Sequence, residues 1–401
     1  MSMLSSVVVR VSAQPLFLGQ MFASGAGALA MVMAATAMPP ERFTTFALLI
    51  LITFIAAGAV RSFLFLPALI ETRNNRSAHV HVRVALLGAL FAVVCFVIAA
   101  AVLGVREPMW LALLSLANTV PVISEWLRLR GTALDERWHV AHSDALRLIA
   151  TLFGAPVLWW TTTPEVFFLF VSLTYLTNVI YLAFRLPRVS AHLSPVRYWR
   201  PASSVLADFL IGQLVSTIPL VVLGGLGTSQ YIGGVRIAQT LLGPLNLLMA
   251  ATWTNLLADG ATRDSHSNPA DLIRHGRRAA THLSLLSMVV VPLVLAALVI
   301  TNFSFRGADN HSLIVGTTLV GLLAVMSGFA GVDAMVLRLL GHHSAATAGR
   351  AFLVGVTGAG YALGYVVGGV DSSLILGFAC AAVANPLAFA LPALIIYRRY
   401  R

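Results

Sequence analysis

Residues 224–259, which read GGLGTSQYIGGVRIAQTLLGPLNLLMAATWTNLLAD, decide how the rest of the chain is interpreted. A short polar turn opens this stretch, and a long apolar segment follows that is interrupted by Arg236 and by Gly243-Pro244. Residues 43–71 have the same construction, with a turn before them, an arginine and a proline inside them and an acidic residue at the end. The repetition indicates a chain that is built from two equivalent halves.

The composition is that of a membrane protein. Of the 401 residues, 58% are hydrophobic and only 10% are charged. A helix that crosses a bilayer needs about 20 apolar residues, and such runs recur along the whole sequence. The predicted spans are 16–38, 43–70, 84–105, 109–127, 145–160, 166–184, 205–226, 231–257, 283–300, 313–337, 351–370 and 374–396. We therefore predict an all-α integral membrane protein with twelve transmembrane helices.

The arginines indicate the orientation of these helices. All 26 basic residues are arginine, and loops that are rich in arginine alternate with loops that are nearly neutral. Cytoplasmic loops are enriched in basic residues, so both termini are predicted to be cytoplasmic in a multi-pass protein of the bacterial inner (cytoplasmic) membrane. The net charge of +11 is then explained by topology, and no nucleic-acid partner is expected.

One proline- and arginine-rich link divides the predicted spans into two sets of six. It covers residues 185–201 and reads RLPRVSAHLSPVRYWRP. Two six-helix halves with a cavity between them are a recurrent transporter architecture. We expect an N-terminal six-helix lobe over residues 1–186, a cytoplasmic linker over 187–203 and a C-terminal six-helix lobe over 204–401.

No signature of an enzyme is present in the sequence. No glycine-rich loop is followed by lysine, and no large external loop is present to hold a catalytic domain. Cys95 and Cys380 lie singly inside apolar runs, where they are expected to pack in the core. We therefore expect no catalytic residue, no metal and no cofactor.

Charged side chains inside the predicted spans are the first candidates for function, because each is costly unless it faces a cavity or a partner. Arg61 and Arg236 lie in matching helices of the two halves. Guanidinium groups in a cavity could bind a diphosphate bidentately. Alternatively, Arg61 bridges to Asp208 or to a backbone carbonyl, and Arg236 reaches the outer headgroups.

Other polar residues in the spans complete the list of candidates. Gln20, Gln239 and Asn246 could line the same cavity, although such groups more often bridge helices. Asp208 and Asp333 are the candidates for ion coupling.

Two pairs of opposite charge have the spacing of neighbours on one helix. Glu125 with Arg128 and Asp144 with Arg147 are each three positions apart, which predicts local ion pairs at the membrane boundary.

The stretch GGLGTSQYIGGVRIAQTLLGPLNLLMA resembles the start of the second lobe of polysaccharide flippases in the multidrug/oligosaccharidyl-lipid/polysaccharide (MOP) exporter superfamily. The small-residue turn, the Gly and aromatic residue, Arg236-Ile237-Ala238-Gln239 and Gly243-Pro244-Leu245 carry the resemblance, and the loop LRLLGHHSAATAGR at 337–350 is similar to a basic loop of that family. The resemblance implies a V-shaped pair of lobes around a central cationic cavity. It also implies that an undecaprenyl-diphosphate-linked oligosaccharide is moved from the cytoplasmic to the outer leaflet by alternating access.

If the protein is a flippase, its partners are expected to be the lipid-linked glycan, the bilayer and a glycan polymerase or glycosyltransferases.

This flippase hypothesis has several rivals. The alternative is a cation-coupled exporter of drugs or other small molecules, with Asp208 and Asp333 as carriers of protons or sodium. The acidic residue that such drug exporters use is missing from the first span, 16–38, which counts against this alternative. A facilitator-type transporter, a membrane glycan polymerase or ligase, and a scaffold without transport activity are further alternatives.

Overall fold

The computed structural model describes most of the chain, and within the described residues it is almost entirely α-helical. The described ranges are 15–65, 82–102, 107–134, 136–158, 163–187, 206, 209–215, 217–226, 230–243, 245, 249, 269–340 and 342–398. The α-helices in them are α1 (Pro15–Ala37), α2 (Pro40–Val60), α3 (Val82–Val102), α4 (Pro108–Ala117), α5 (Thr119–Ala133), α6 (Arg137–Leu158), α7 (Pro164–Arg185), α8 (Ile218–Leu226), α9 (Gln230–Leu241), α10 (Pro269–Thr301), α11 (Asn310–Leu339) and α12 (His343–Tyr397).

These helices coincide with the apolar runs, so the prediction of an all-α membrane protein is confirmed. Seven helices in the described ranges are long and apolar enough to cross a membrane. An eighth span results if the bent pair Phe209–Val215 and Ile218–Leu226 counts as one. Helix α12 alone holds the last two predicted spans.

The chain divides into two compact units, the N-terminal unit Met1–Leu210 and the C-terminal unit Ile211–Arg401. Aromatic side chains fill the core of the N-terminal unit, where the rings of Phe46 and Phe167 meet edge to face with centroids 5.8 Å apart. Aromatic pairs of this geometry are more stabilising than the burial of their area alone. In the C-terminal unit, small residues bring helices together, as where Gly328 of α11 lies against Ser284 of α10.

The fourth predicted span, 109–127, lies within one apolar stretch, Pro108–Thr132, that has a local irregularity at Asn118. Helices α4 and α5 meet at Asn118, whose side-chain Nδ2 donates a hydrogen bond to the backbone carbonyl of Ala92 in α3 (3.2 Å). Pro121 has no N–H to donate to the carbonyl of Ala117, which is the bond that would continue the helix. Asn118 itself has right-handed helical dihedral angles (φ −64°, ψ −17°), so the irregularity is local and the span continues through it.

The glycines near the end of the chain allow the last helix to fold back on itself. Gly369 has a φ of +72°, a conformation that favours glycine, and with Gly368 it breaks the helical geometry of α12. Beyond this break the chain returns alongside the first part of α12, so that Gly364 approaches the returning backbone and Gly360 approaches Cys380. The three-glycine face of residues 360–368 thus serves close packing, as its four-residue spacing predicts.

Asp309 caps the N-terminus of α11, and we expect its loss to weaken the C-terminal unit. Its Oδ1 accepts a hydrogen bond from the backbone N–H of Ser312 at 3.0 Å, and hydrogen bonding by Ser312 lowers the pKa of the Asp309 carboxyl below its ordinary value. Asp309→Ala should lower the free energy of unfolding at neutral pH by about 1 kcal/mol. Because the folded pKa is the lower one, this stabilisation is present above the unfolded pKa of about 4 and is lost as the pH falls through the folded value.

Thermal unfolding of the detergent-solubilised protein between about pH 3 and pH 7 measures this effect. Asp309→Asn is the matched control, since an asparagine can still cap the helix but does not titrate. Equal unfolding temperatures for the wild type and Asp309→Ala at pH 7 would contradict the capping role.

Candidate functional site

One guanidinium group joins two helices in the interior of the N-terminal unit. Glu125 and Arg128 lie one turn apart on α5, and Nη1 of Arg128 is 2.8 Å from Oε2 of Glu125, as their spacing predicts. The same Arg128 also reaches α6, where its Nη2 and Nε donate to Oδ2 of Asp144 at 2.9 and 3.2 Å. Arg128 therefore bridges a carboxylate on its own helix and a carboxylate on the next.

Asp144 is fully buried, and a third helix supplies its second partner. Nδ2 of Asn178, on α7, donates to Oδ1 of Asp144 at 2.9 Å. Helix α1 approaches closely too, since a Cβ added at Gly19 would lie 3.1 Å from Oδ2 of Asp144. Burial of a carboxylate is tolerated only where it is paired and hydrogen-bonded, and both of its oxygens are satisfied here.

The predicted pairing of Asp144 with Arg147 at the membrane boundary is corrected by this arrangement. The close partner of Asp144 is Arg128, on the neighbouring helix. Arg147 is also buried, and its guanidinium carbon lies 3.5 Å from the ring centroid of Tyr175 on α7. Spacing along one helix identifies neighbours within that helix, but it cannot identify a guanidinium group that belongs to a different helix.

Arg61 joins the same group of charges. It begins a five-residue π-helix, Arg61–Phe65, which follows α2 directly, and π-helical turns are frequent at functional sites. Its Nη1 lies 3.2 Å from Oε1 of Glu125, and half of its side chain is exposed. The partner of Arg61 is thus Glu125, whereas Asp208, the alternative predicted from sequence, lies outside the described residues.

Gln20 of α1 also belongs to this group. Its side-chain oxygen accepts a long hydrogen bond of 3.5 Å from Nη2 of Arg128. The structure therefore brings Gln20 and Arg61, two residues that were predicted to line a cavity, to the same set of charges.

Arg61, Glu125, Arg128, Asp144 and Arg147 form what we call the ion-pair network. Three guanidinium groups face two carboxylates in it, so one positive charge is in excess. Arg61 is its most exposed arginine, while Arg128 and Arg147 are enclosed by helices. An anion that approaches Arg61 could compete with Glu125 for the guanidinium, which binds carboxylates and phosphates in the same bidentate manner.

Arg236 has a different environment in the C-terminal unit. It lies on α9, is 7% exposed, and donates from Nη1 to the side-chain oxygen of Gln239 at 2.5 Å. Its Nε is buried without a hydrogen-bond partner, and no ion pair to it is found within the described ranges. Such burial does not fit the prediction that Arg236 reaches lipid headgroups, because a snorkelling side chain ends at an exposed surface. Asn246 lies outside the described residues.

Asp333, one of the two candidates for ion coupling, connects two helices. Its Oδ1 accepts a hydrogen bond from the phenol of Tyr397 at 3.0 Å, which ties α11 to the end of α12. Arg277 of α10 lies over the other side of this phenol ring, with its guanidinium carbon 5.1 Å from the centroid. Asp333 is thus held by a neutral donor.

The ion-pair network was missed as one site, although the sequence carries a signal for it. Helix α5 ends at Ala133 and α6 begins at Arg137, so the end of one and the start of the other must lie at the same depth. Two pairs of charges that flank such a short connection are therefore brought to one level of the bundle.

Comparisons with known proteins show the fold. No protein-family model matches the sequence, and no curated protein sequence matches it. Among solved structures, the chain is similar to the inward-facing conformation of a multidrug resistance MATE family transporter of the MOP superfamily, with a TM-score of 0.64, 14% identity and coverage of 95% of this chain and 96% of that one. The outward-facing conformation of such a transporter gives a TM-score of 0.63, 16% identity and coverage of 98% and 95%.

A third similar structure is a MOP superfamily transporter from Pyrococcus furiosus, for which reverse polarity of the binding pocket suggests a different function. It gives a TM-score of 0.60, 14% identity and coverage of 98% of this chain and 95% of that one. The chain therefore has the fold of MATE transporters of the MOP superfamily over nearly its whole length. This fold is the one that the resemblance of the sequence motifs implied, whereas the polysaccharide flippase branch is not confirmed.

Proposed function

We propose that this protein is a membrane transporter that works by alternating access and exports small amphipathic molecules. The observation that supports this most strongly is the likeness of the whole fold to multidrug resistance transporters that have been solved facing inward and facing outward. A fold that supports two such conformations in its relatives is suited to moving a substrate across the membrane in this chain. The exporter that was the alternative in the sequence analysis is thus favoured over the flippase.

The charges of the two units suggest which molecules would be exported. The ion-pair network has more arginines than carboxylates, and Arg61 is accessible. In the C-terminal unit, Arg236 is buried beside the neutral Gln239. Excess positive charge attracts anions and repels cations, so we expect anionic amphiphiles to be exported better than cationic ones.

A lipid-linked oligosaccharide flippase is the second candidate function. The accessible guanidinium of Arg61 and the buried guanidinium of Arg236 favour it, since both could bind a diphosphate group. In this case the substrate would be an undecaprenyl-diphosphate-linked oligosaccharide, and a glycan polymerase or glycosyltransferases would be its partners.

Transport by purified protein in liposomes distinguishes these candidates. The assay compares an anionic fluorescent dye, a cationic dye of similar size and a fluorescent lipid-diphosphate sugar whose leaflet is read by quenching. Export of the anionic dye supports the first proposal, and movement of the lipid-diphosphate sugar alone supports the flippase. If none of the three probes is moved faster than in empty liposomes, both proposals are wrong.

Arg61→Gln and Arg236→Gln should each lower transport of the anionic substrate about tenfold or more. A hydrogen bond to a charged group contributes about 1.5–3 kcal/mol, and 1.4 kcal/mol corresponds to a factor of ten. Initial rates in the same liposomes measure the effect, and Arg306→Gln, in the exposed loop before α11, is the matched control. Unchanged initial transport rates in both variants would show that the two arginines do not bind the substrate.

Ion coupling is a separate question, for which Asp333 is the described candidate. Its carboxylate accepts a hydrogen bond from Tyr397 and interacts electrostatically with Arg277, but it forms no direct ion pair among the described residues, whereas Glu125 and Asp144 are both bound directly by arginine. A carboxylate that no arginine contacts directly is freer to exchange a proton or a sodium ion during a transport cycle. We propose Asp333 as this carrier.

A further inference from the structure

A cleft with a volume of about 560 Å³ opens beside the first turns of α10, in the C-terminal unit. Its described lining includes five side chains that could donate to an anion, Arg274, Arg277, Arg278, Thr281 and His282, together with Tyr397, whose hydroxyl already donates to Asp333. No carboxylate is found among the described residues that line it. We name it the α10 cleft, and we propose that it binds the phosphate headgroup of an anionic phospholipid.

The basic residues of the α10 cleft share one side of a single helix. Arg274, Arg278 and His282 follow one another at four-residue spacing, which places them in a row on α10. All three residues are exposed. Two guanidinium groups one turn apart can each donate to a different oxygen of the same phosphate.

The inner wall of the cleft is fixed by packing. Tyr397 is almost completely buried, and its hydroxyl donates to Asp333 at 3.0 Å. Arg277 is half-buried, and its guanidinium lies over the ring of Tyr397. The described lining of the cleft therefore comes from two helices, α10 and α12, and its wall at Tyr397 is held in place by the hydrogen bond to Asp333 of α11.

The surface next to the cleft favours a lipid over a soluble anion as the ligand. Further along α10 the exposed side chains become large and apolar: Leu285, Leu286, Met288, Val289 and Leu293. Within a membrane, an exposed apolar face contacts acyl chains. A phosphate bound at Arg274 and Arg278 would therefore have its acyl chains on this face, which is the arrangement of a bound phospholipid.

The predicted orientation places the α10 cleft at the leaflet where anionic lipids are concentrated. The loop before α10 belongs to the arginine-rich set, which is predicted to be cytoplasmic. Basic pockets between helices on the cytoplasmic side are suited to anionic headgroups, and this leaflet has a negative surface potential. Because the cleft contacts both α10 and α12, an occupying lipid would hold these two helices together.

Binding of phosphatidylglycerol to the purified full-length protein in neutral detergent tests this proposal. Phosphatidylglycerol should raise the temperature of thermal unfolding and remain bound in native mass spectra. Phosphatidylcholine and inorganic phosphate at the same concentrations should do neither. The double variant R274Q/R278Q should weaken the apparent affinity for phosphatidylglycerol about tenfold or more, since each lost charged hydrogen bond contributes 1.5–3 kcal/mol.

The control is R42Q/R306Q, which removes two arginines at exposed positions outside the cleft and should bind phosphatidylglycerol like the wild type. The single variant R278Q serves if the double variant unfolds without lipid. Equal affinity of the wild type and the cleft variants would overturn the proposal. Equal stabilisation by inorganic phosphate would show a general anion site, and equal binding of phosphatidylcholine would show no headgroup recognition; either result overturns it. None of these measurements involves transport, so they are independent of the proposed function.

Discussion

Replacement of Gly316 by leucine is expected to leave little or no folded protein. A Cβ added at Gly316 of α11 would lie 2.5 Å from the backbone carbon of Gly234 in α9 and 2.5 Å from the backbone nitrogen of Val235. In the opposite direction, a Cβ at Gly234 would collide with the backbone carbonyl of Ser312. Membrane helices pack closely where small residues meet, and two backbones cannot move apart without opening the whole interface. Overpacking in a core commonly costs 1–3 kcal/mol, and a backbone clash is expected to exceed this range.

The yield of monodisperse protein in size-exclusion chromatography and its unfolding temperature measure this effect. Gly355→Leu is the matched control, because a Cβ at Gly355 of α12 meets no atom within 4 Å and the position is exposed. Leucine is a better helix former than glycine by somewhat less than about 1 kcal/mol, so the control should be as stable as the wild type or slightly more stable. If Gly316→Leu gives the same yield and unfolding temperature as Gly355→Leu, the close contact between α9 and α11 is contradicted.

Replacement of Asp144 by leucine should destabilise the N-terminal unit by about 3–5 kcal/mol, which is the usual effect of removing one partner of a buried ion pair. The substitution leaves Glu125 as the one carboxylate bound to Arg128 among the described residues, and it leaves Nδ2 of Asn178 without its acceptor. The double variant D144L/R128M should recover a large part of this loss, since a buried ion pair can often be exchanged for apolar residues at little cost. Unfolding temperatures in detergent give the comparison.

Glu136→Gln is the control for this experiment. Glu136 pairs with His139 in the same unit, but its side chain is 45% exposed, and exposed pairs contribute at most about 1 kcal/mol. A loss for Asp144→Leu no greater than for Glu136→Gln would show that the Asp144 carboxylate is not held in the interior as described. If the double variant has an unfolding temperature no higher than that of Asp144→Leu, the stabilising contacts of Asp144 are those with Asn178 or Gly19 and not the ion pair with Arg128.

The candidate site was predictable in part from particular residues. Arg61, Arg236 and Gln20 stand out because polar groups are rare inside apolar runs, and the structure places Arg61 and Gln20 at one network. Glu125 and Arg128 were predicted as a pair from their spacing, and they form it. Their connection to Asp144 was not predicted, because the 3.6-residue period of a helix relates residues of the same helix only.

Predicting the function from a short sequence motif is limited in a similar way. A short motif around Arg236 and Gln239 favoured a polysaccharide flippase of the MOP superfamily, whereas the fold is similar to solved multidrug resistance MATE transporters. Motifs of this kind record the packing of one helical segment. The charge of a buried cluster depends on side chains that several helices contribute, as the excess of arginine in the ion-pair network illustrates.

The amino-acid sequence by itself determined that this protein is an all-α membrane protein, and it determined where most of the helices in the described residues lie. It could do so because the transfer of a segment into lipid depends on the local sum of its side chains. Only the tertiary structure decided that Arg61 pairs with Glu125, that Arg128 bridges to Asp144, and that Tyr397 donates to Asp333 from 64 positions away. These contacts depend on the depth and rotation of each helix against its neighbours, which are set when all the helices pack together.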